Sequence, residues 1–232
     1  MAVYKRKGKE GGEAEETGHD ARRSRTRQAL IEAALDLLGE DRTFSSLSLR
    51  EVTKAAGVVP AAFYRHFRGM DSLGLELVDE SFRALRAQMR AVRTKPLPTE
   101  QLIRNSVALY VSYVLEQNRY FRFAIREYFS GANTTRLAIR NELRFFVSEL
   151  ATDLALLVPD RRITSGDLQM IAQLVVNNMV MATDQILTLN ADHPDEEVLL
   201  VDLLSKQLRV IFLGVTQWRA GGAATAAGAP PG

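Results

Sequence analysis

Between residues 21 and 218 the apolar side chains recur three and four positions apart, and no run alternates with a period of two for long enough to build a sheet. That pattern confines the chain to helices packed on helices, so the expected fold class is all-α. With 232 residues and 46% hydrophobic composition there is apolar surface for a substantial core, and the length allows one large domain or two small ones. The apolar runs between Leu97 and Leu213 are broken by Arg, Glu, Asn or Asp every few residues, so none reaches the roughly 20 residues that a membrane-spanning helix needs. Lys5, Arg6, Lys7 and Lys9 lead into Gly and Glu rather than an apolar stretch, which argues against a signal peptide. The expectation is a cytoplasmic protein with no membrane partner. The absence of cysteine excludes disulfides, thiol catalysis and thiolate metal sites.

Composition and breakers divide the chain into five segments. Residues 1–20 are rich in Gly, Lys and Glu, and residues 220–232 in Gly, Ala and Pro, so both read as disordered tails. A first helix is predicted from about Ala21 to Leu38, with Leu30, Ala34, Leu37 and Leu38 on its apolar face and Arg22, Arg23, Arg25 and Arg27 crowding its start. Cations there oppose the helix dipole, a conflict that an external anion would relieve. A short helix follows Ser48, which with Glu51 forms a capping box, and ends at Gly57; another begins at Pro60 and runs to about Phe67. These make a compact segment over 21–70. A connecting helix over 71–96 carries Leu73, Leu77, Phe82, Leu85 and Met89 and stops before Pro96 and Pro98, where a domain boundary is expected. Over 97–219 the pattern predicts helices at about 99–117, 119–130, 134–158, 165–191 and 195–218.

The two short helices carry the strongest functional signal. Leu49, Val52, Ala55 and Ala56 face inward on the first, Val58, Phe63 and Phe67 anchor the second, and Gly57 stands where the turn needs a positive φ. Helices this short are stable only when others hold them, and the arrangement is that of a helix-turn-helix whose second helix enters the major groove. Charge agrees: residues 21–95 carry +5, against −1 for 1–20 and −2 for 96–232, so attraction to phosphate is confined to the segment with the motif.

The string from Ser48 through Leu49, Arg50, Glu51, Val52, Thr53, Lys54, Ala55, Ala56 and Gly57 to Val58, followed by Phe63, Tyr64, Arg65, His66 and Phe67, resembles the TetR family. The likeness covers about 22–85 in detail and the remainder in helix number. It departs at Met70, where many members carry a lysine that contacts phosphate, a contact that is then either absent or supplied by Arg68. Further strings, Phe44 to Val52, Phe63 to Arg68 and Leu73 to Ser81, look like the DesT/FabR type repressors of unsaturated fatty-acid synthesis and desaturation. The resemblance implies a homodimer on an inverted-repeat (palindromic) operator in double-stranded DNA, with long-chain acyl-CoA as effector, unsaturated chains strengthening and saturated chains weakening DNA binding. It implies a DNA-binding set of Ser48, Ala61, Ala62, Tyr64, Arg65, His66 and Arg68. Ala61, Ala62 and Arg65 fall where the family reads base edges, and Tyr64 and His66 where it contacts phosphate. A bidentate Arg65 contact to guanine would be worth roughly 1 to 3 kcal/mol of discrimination, though a solvated surface charge is the simpler alternative for that residue.

The second half assembles no catalytic constellation. His19, His66 and His193 are too scattered for a metal site or an assisted nucleophile, and Glu127, Glu142 and Glu149 read as solvated ion pairs among arginines. No enzyme, no cofactor and no metal are expected. Nine aromatic residues lie between Tyr110 and Phe146, either as core filling or as the lining of an apolar tunnel, in which each buried methylene of a ligand contributes about 0.8 kcal/mol. The predicted ligand-binding set is Tyr113, Phe121, Tyr128, Phe129, Phe145, Phe146, Leu174, Asn177, Asn178 and Met181, with Arg122, Arg126 and Arg140 for a coenzyme A head group. Asn177 and Asn178 would orient a thioester or bond across a dimer. The last two helices, with Leu168, Ile171, Leu174, Val175, Met179 and Ile186, then Leu199, Leu203, Leu208, Ile211, Phe212 and Val215, would form a four-helix interface in a two-fold dimer. The other readings are a regulator of this kind for a different hydrophobic molecule, and an acyl-CoA-binding enzyme with an accidental helix pair.

Overall fold

The computed structural model describes residues 10–39, 42–93, 97–157, 163–190 and 192–217. Its elements are α1 (Glu10–Leu38), a 3-10 turn (Phe44–Ser46), α2 (Leu49–Ala55), α3 (Pro60–Phe63), α4 (Met70–Arg93), α5 (Thr99–Glu116), α6 (Asn118–Ser130), α7 (Asn133–Leu157), α8 (Ser165–Leu187) and α9 (Pro194–Gln217). There is no strand among the described residues, so the fold class is all-α. The chain divides into two compact units, Met1–Leu77 and Val78–Gly232, and α4 runs through the division. The division thus falls inside the helix that was expected to connect the domains. Residues 94–96, at the predicted Pro-rich boundary, lie outside the described residues, as do residues 1–9 and 220–232 of the two predicted tails.

In the first unit α1 begins at Glu10, eleven residues before the expected start. Glutamate is a good helix former and is favoured near a helix N-terminus, and the sequence is rich in it over 10–16. The four arginines therefore stand several turns into the helix, and the predicted conflict with its dipole does not arise. The core of this unit gathers Leu30, Ile31, Ala34, Leu35 and Leu38 with Phe44, Val52, Phe63, Phe67, Leu73 and Leu77, all buried. The capping box forms as predicted: Ser48 Oγ accepts from the Glu51 N–H at 3.3 Å, and the Ser48 N–H donates to Glu51 Oε2 at 2.9 Å. Gly57 has φ +67, the left-handed conformation assigned to it. The third helix is shorter than expected. Its α-helical hydrogen bonding ends at Phe63, and Tyr64 to His66 continue as turns, with the His66 and Phe67 N–H groups both donating to the Phe63 carbonyl at 2.9 Å.

In the second unit, α5, α6, α7 and α9 match their predicted bounds to within a residue or two, while α8 stops at Leu187, short of 191. A second capping box, in which Thr164 caps and Asp167 reaches back, starts α8. Phe121 is the hub of the core, edge-on to Phe82, Tyr110 and Tyr113 at centroid distances of 6.1, 6.3 and 5.8 Å. Gly131 joins α6 to α7 where no side chain fits, since a Cβ there would stand 2.6 Å from the Glu127 carbonyl oxygen. Glu127 itself is not the solvated ion pair that its spacing suggested: it is buried and accepts a 2.6 Å hydrogen bond from Thr135 Oγ1.

Candidate DNA-binding surface and ligand cavity

The DNA-reading candidates sit on a scaffold that points them outward. Phe63 and Phe67, four residues apart, sink into the first unit with ring centroids 5.5 Å from each other, which turns the intervening positions to solvent. Ala61, Tyr64, Arg65 and Arg68 are exposed, Tyr64 by 62%, whereas Ala62 and His66 are half-buried. An exposed tyrosine beside an exposed arginine on a buried anchor can meet a phosphate and a base edge without repacking the core. Ser48 is exposed at the start of α2, held by Glu51, whose carboxyl is lowered by hydrogen bonds from Ser48 and Arg42. His66 is lowered from its usual value first by burial and then by the fields of Arg23, Arg27 and Arg65. Arg27 is not a spare cation for phosphate: it pairs with Glu76, and its guanidinium lies 5.9 Å from the centre of the Phe67 ring.

The second unit encloses a cavity of about 180 Å³ among α4 to α9. Along α7 its wall is formed by Ile139, Leu143, Phe146, Leu150, Leu154 and Leu157, one stripe at helical spacing that rises about 27 Å at 1.5 Å per residue. Phe82, Leu85 and Met89 of α4 face it, with Leu102, Ile103, Val107 and Tyr110 of α5 and Val175, Val176 and Met179 of α8. The polar features of the wall are few. Tyr110, half-buried and with its hydroxyl pushed up to about 12 by desolvation, bonds Thr183 Oγ1 at 2.7 Å, and Thr183 in turn donates to the Met179 carbonyl at 3.2 Å. Arg93 closes the α4 stripe, and Asp153 stands in the α7 wall between Leu150 and Leu154.

Of the predicted ligand set, Phe121, Tyr128 and Phe146 line this cavity. Tyr113 is buried beside Phe121 in the core, set back from the wall. Phe129, Phe145, Leu174 and Met181 are exposed, between 49% and 62%, because they lie on the outer faces of their helices. Asn177 is exposed and accepts from Gln173 Nε2, while Asn178 Nδ2 donates to Gln207 Oε1 across to α9 at 3.1 Å, so neither faces the cavity. The arginines meant for coenzyme A are elsewhere: Arg122 donates to the Leu187 carbonyl at 2.9 Å, Arg140 lies 6.0 Å from the Tyr128 ring centre on the outer side, and Arg126 is not part of the wall. Sequence reasoning missed the contributions of α4 and α5. The available signal was Arg93, which takes the next place in the stripe Phe82, Leu85, Met89 and keeps only 9% of its side chain exposed. Glu142 and Glu149 were expected to pair among arginines of their own region. They pair instead with Arg86, Arg90 and Arg93 of α4.

Residues 30–77 match the family model described as bacterial regulatory proteins, tetR family. Among solved structures the chain is similar to the fatty acid degradation regulator FadR from Bacillus halodurans, with TM-score 0.63 and 15% identity over 82% of this chain and 96% of that one. It is similar to a transcriptional regulator from Aquifex aeolicus, with TM-score 0.62, 14% identity and coverages of 81% and 99%. A TetR-family transcriptional regulator from Bordetella parapertussis gives 0.61, 14%, 84% and 98%. Residues 30–77 thus carry the N-terminal module of the tetR-family regulatory proteins, and the chain shares the fold of these solved structures.

Proposed function

We propose that this chain is a ligand-responsive repressor that binds an inverted-repeat operator as a homodimer in the cytoplasm and controls genes of unsaturated fatty-acid synthesis and desaturation. Its effector is a long-chain acyl compound, acyl-CoA being the form that the family resemblance implies. The observation that carries the effector is the cavity: a mainly apolar stripe of about 27 Å along α7, broken only by Asp153 and opposed by further apolar stripes from α4 and α5, fits an extended hydrocarbon chain better than a compact polar molecule. The relative from Bacillus halodurans, described as a fatty acid degradation regulator, supports a link to fatty acids.

The dimer reading rests on the outer faces of the last two helices. Met170, Leu174 and Met181 on α8, and Leu199, Leu203, Val210 and Leu213 on α9, are exposed apolar residues at spacings of three, four and seven, a seam of the kind that four-helix interfaces bury. Leu174 and Met181 thus fit a subunit contact better than the ligand role expected of them. On the DNA side Ser48, Ala61, Ala62, Tyr64, Arg65, His66 and Arg68 form the proposed contact set.

The test is operator binding followed by fluorescence anisotropy at fixed salt, since phosphate contacts make the affinity salt-dependent. The duplex carries an inverted repeat from upstream of a neighbouring desaturase or fatty-acid gene, and binding is measured alone and with oleoyl and stearoyl compounds. Tighter binding with the oleoyl chain and weaker binding with the stearoyl chain supports a repressor that reads chain shape; specific binding indifferent to both removes the acyl effector and leaves the regulator.

A further inference from the structure

The charged part of the cavity wall is an ion pair between the nearly buried Arg93 and the partly exposed Asp153, and its chemistry bears on the head group of the effector. Arg93 closes the apolar stripe of α4 and Asp153 interrupts that of α7; Arg93 Nε donates to Asp153 Oδ2 at 2.5 Å and Nη2 to Glu149 Oε2 at 3.2 Å. Among the described residues of the wall, Arg93 is the one cation and Asp153 the one anion. A guanidinium with 9% of its side chain exposed cannot be left without a carboxylate, because an unpaired buried charge is strongly destabilising. Its two partners differ in what they lose on release. Asp153 is 34% exposed and can turn to water, whereas Glu149 also holds Arg90 from the same face of α4.

We propose that the effector carries a single free carboxylate, and that this group exchanges with Asp153 for the Arg93 guanidinium while its hydrocarbon tail lies along the α7 stripe. The assignment rests on the acyl-effector reading above and replaces its thioester head with an acid. An incoming carboxylate keeps Arg93 paired throughout, in the planar two-bond geometry that a guanidinium offers, and sends Asp153 to solvent. A hydroxyl or a thioester carbonyl carries no charge to exchange, so it rests against a pair that is already satisfied. The other polar couple of the wall, Tyr110 with Thr183, is neutral and internally bonded, and offers a carboxylate no counter-charge. Exchange has a structural consequence as well: the Arg93 to Asp153 bond is one of the ties between α4 and α7, and α4 is the helix that continues from the first unit into the second.

Isothermal titration calorimetry on the full chain at constant pH and salt, with dodecanoate, dodecanol and dodecanoyl-CoA as probes, tests the assignment. The acid is expected to bind at least tenfold tighter than the alcohol. Arg93→Met should bring the acid to the level of the alcohol while leaving the alcohol unchanged, which also shows that the cavity is intact. Asp153→Asn, by removing the competing carboxylate, should tighten the acid severalfold and not the alcohol. Equal binding of acid and alcohol by the wild-type chain, or tighter binding of the thioester than of the acid, overturns the head-group assignment but keeps an acyl effector. Failure of all three probes to bind removes the acyl effector itself, and the assignment with it.

Discussion

His66 shows how one side chain can carry opposite pH signs in folding and in DNA binding. Burial, then Arg23, Arg27 and Arg65, lower its proton affinity, so the unfolded chain takes up the proton first as pH falls and stability is lost below about pH 6.5. Phosphates placed beside the same ring, as the proposed contact has them, would favour the imidazolium, so the complex would bind more protons than the free protein. Operator affinity at fixed salt is therefore expected to rise from about pH 7.5 to about pH 6, and His66→Gln should flatten that profile; an unchanged profile in the variant would exclude His66 from the contact. Arg65 is exposed and bears on a different quantity. Arg65→Ala should lower discrimination against scrambled DNA by about 1 to 3 kcal/mol with no change in thermal unfolding, and an unchanged specificity ratio would leave Arg65 a solvated charge. The core beneath responds to size: Phe63→Ala, at a fully buried position, is expected to cost about 3 to 5 kcal/mol in urea unfolding.

At the level of helices, period and punctuation made most of the fold legible. Ser48 with Glu51, Gly57, Pro60, Gly131 and the two last apolar helices stand where the spacing put them, because capping, φ and amphipathicity act within a few residues. The cavity was less legible for a definite reason. An aromatic residue on an amphipathic helix is equally consistent with wall, core or outer surface, and Phe121, Tyr113 and Phe129 realise the three cases. Which faces of the helices meet is decided by pairings 40 to 73 residues apart, such as Tyr120 of α6 with Glu80 of α4 and Tyr110 of α5 with Thr183 of α8, which no local pattern specifies. The α8 and α9 faces are a further case, since their outer stripe is as apolar as a core. Replacing Leu199 and Leu203 together by Glu should give a folded monomer by sedimentation velocity at micromolar concentration, with operator affinity reduced; a dimer that persists would place the subunit contact elsewhere.

Taken as a whole, the molecule joins a small helix-turn-helix module to a helical unit with an internal cavity. No helix among the described residues is long and apolar enough to cross a membrane, and no group of three or more His, Cys, Asp or Glu residues there could hold a metal ion. A hydrocarbon bound in the cavity of about 180 Å³ would give its lining atoms further van der Waals partners and so add stability. Ligand at a hundred times its dissociation constant should add about 2.7 kcal/mol to the unfolding free energy, read as a rise in melting temperature. Cellular proteases sample the opened chain, and a shift of that size changes steady-state abundance severalfold. Were the proposed acyl effector to fill it, the cavity would tie the lifetime of the protein to the supply of that lipid: a cell poor in it would hold fewer copies, as well as a different fraction of them on DNA.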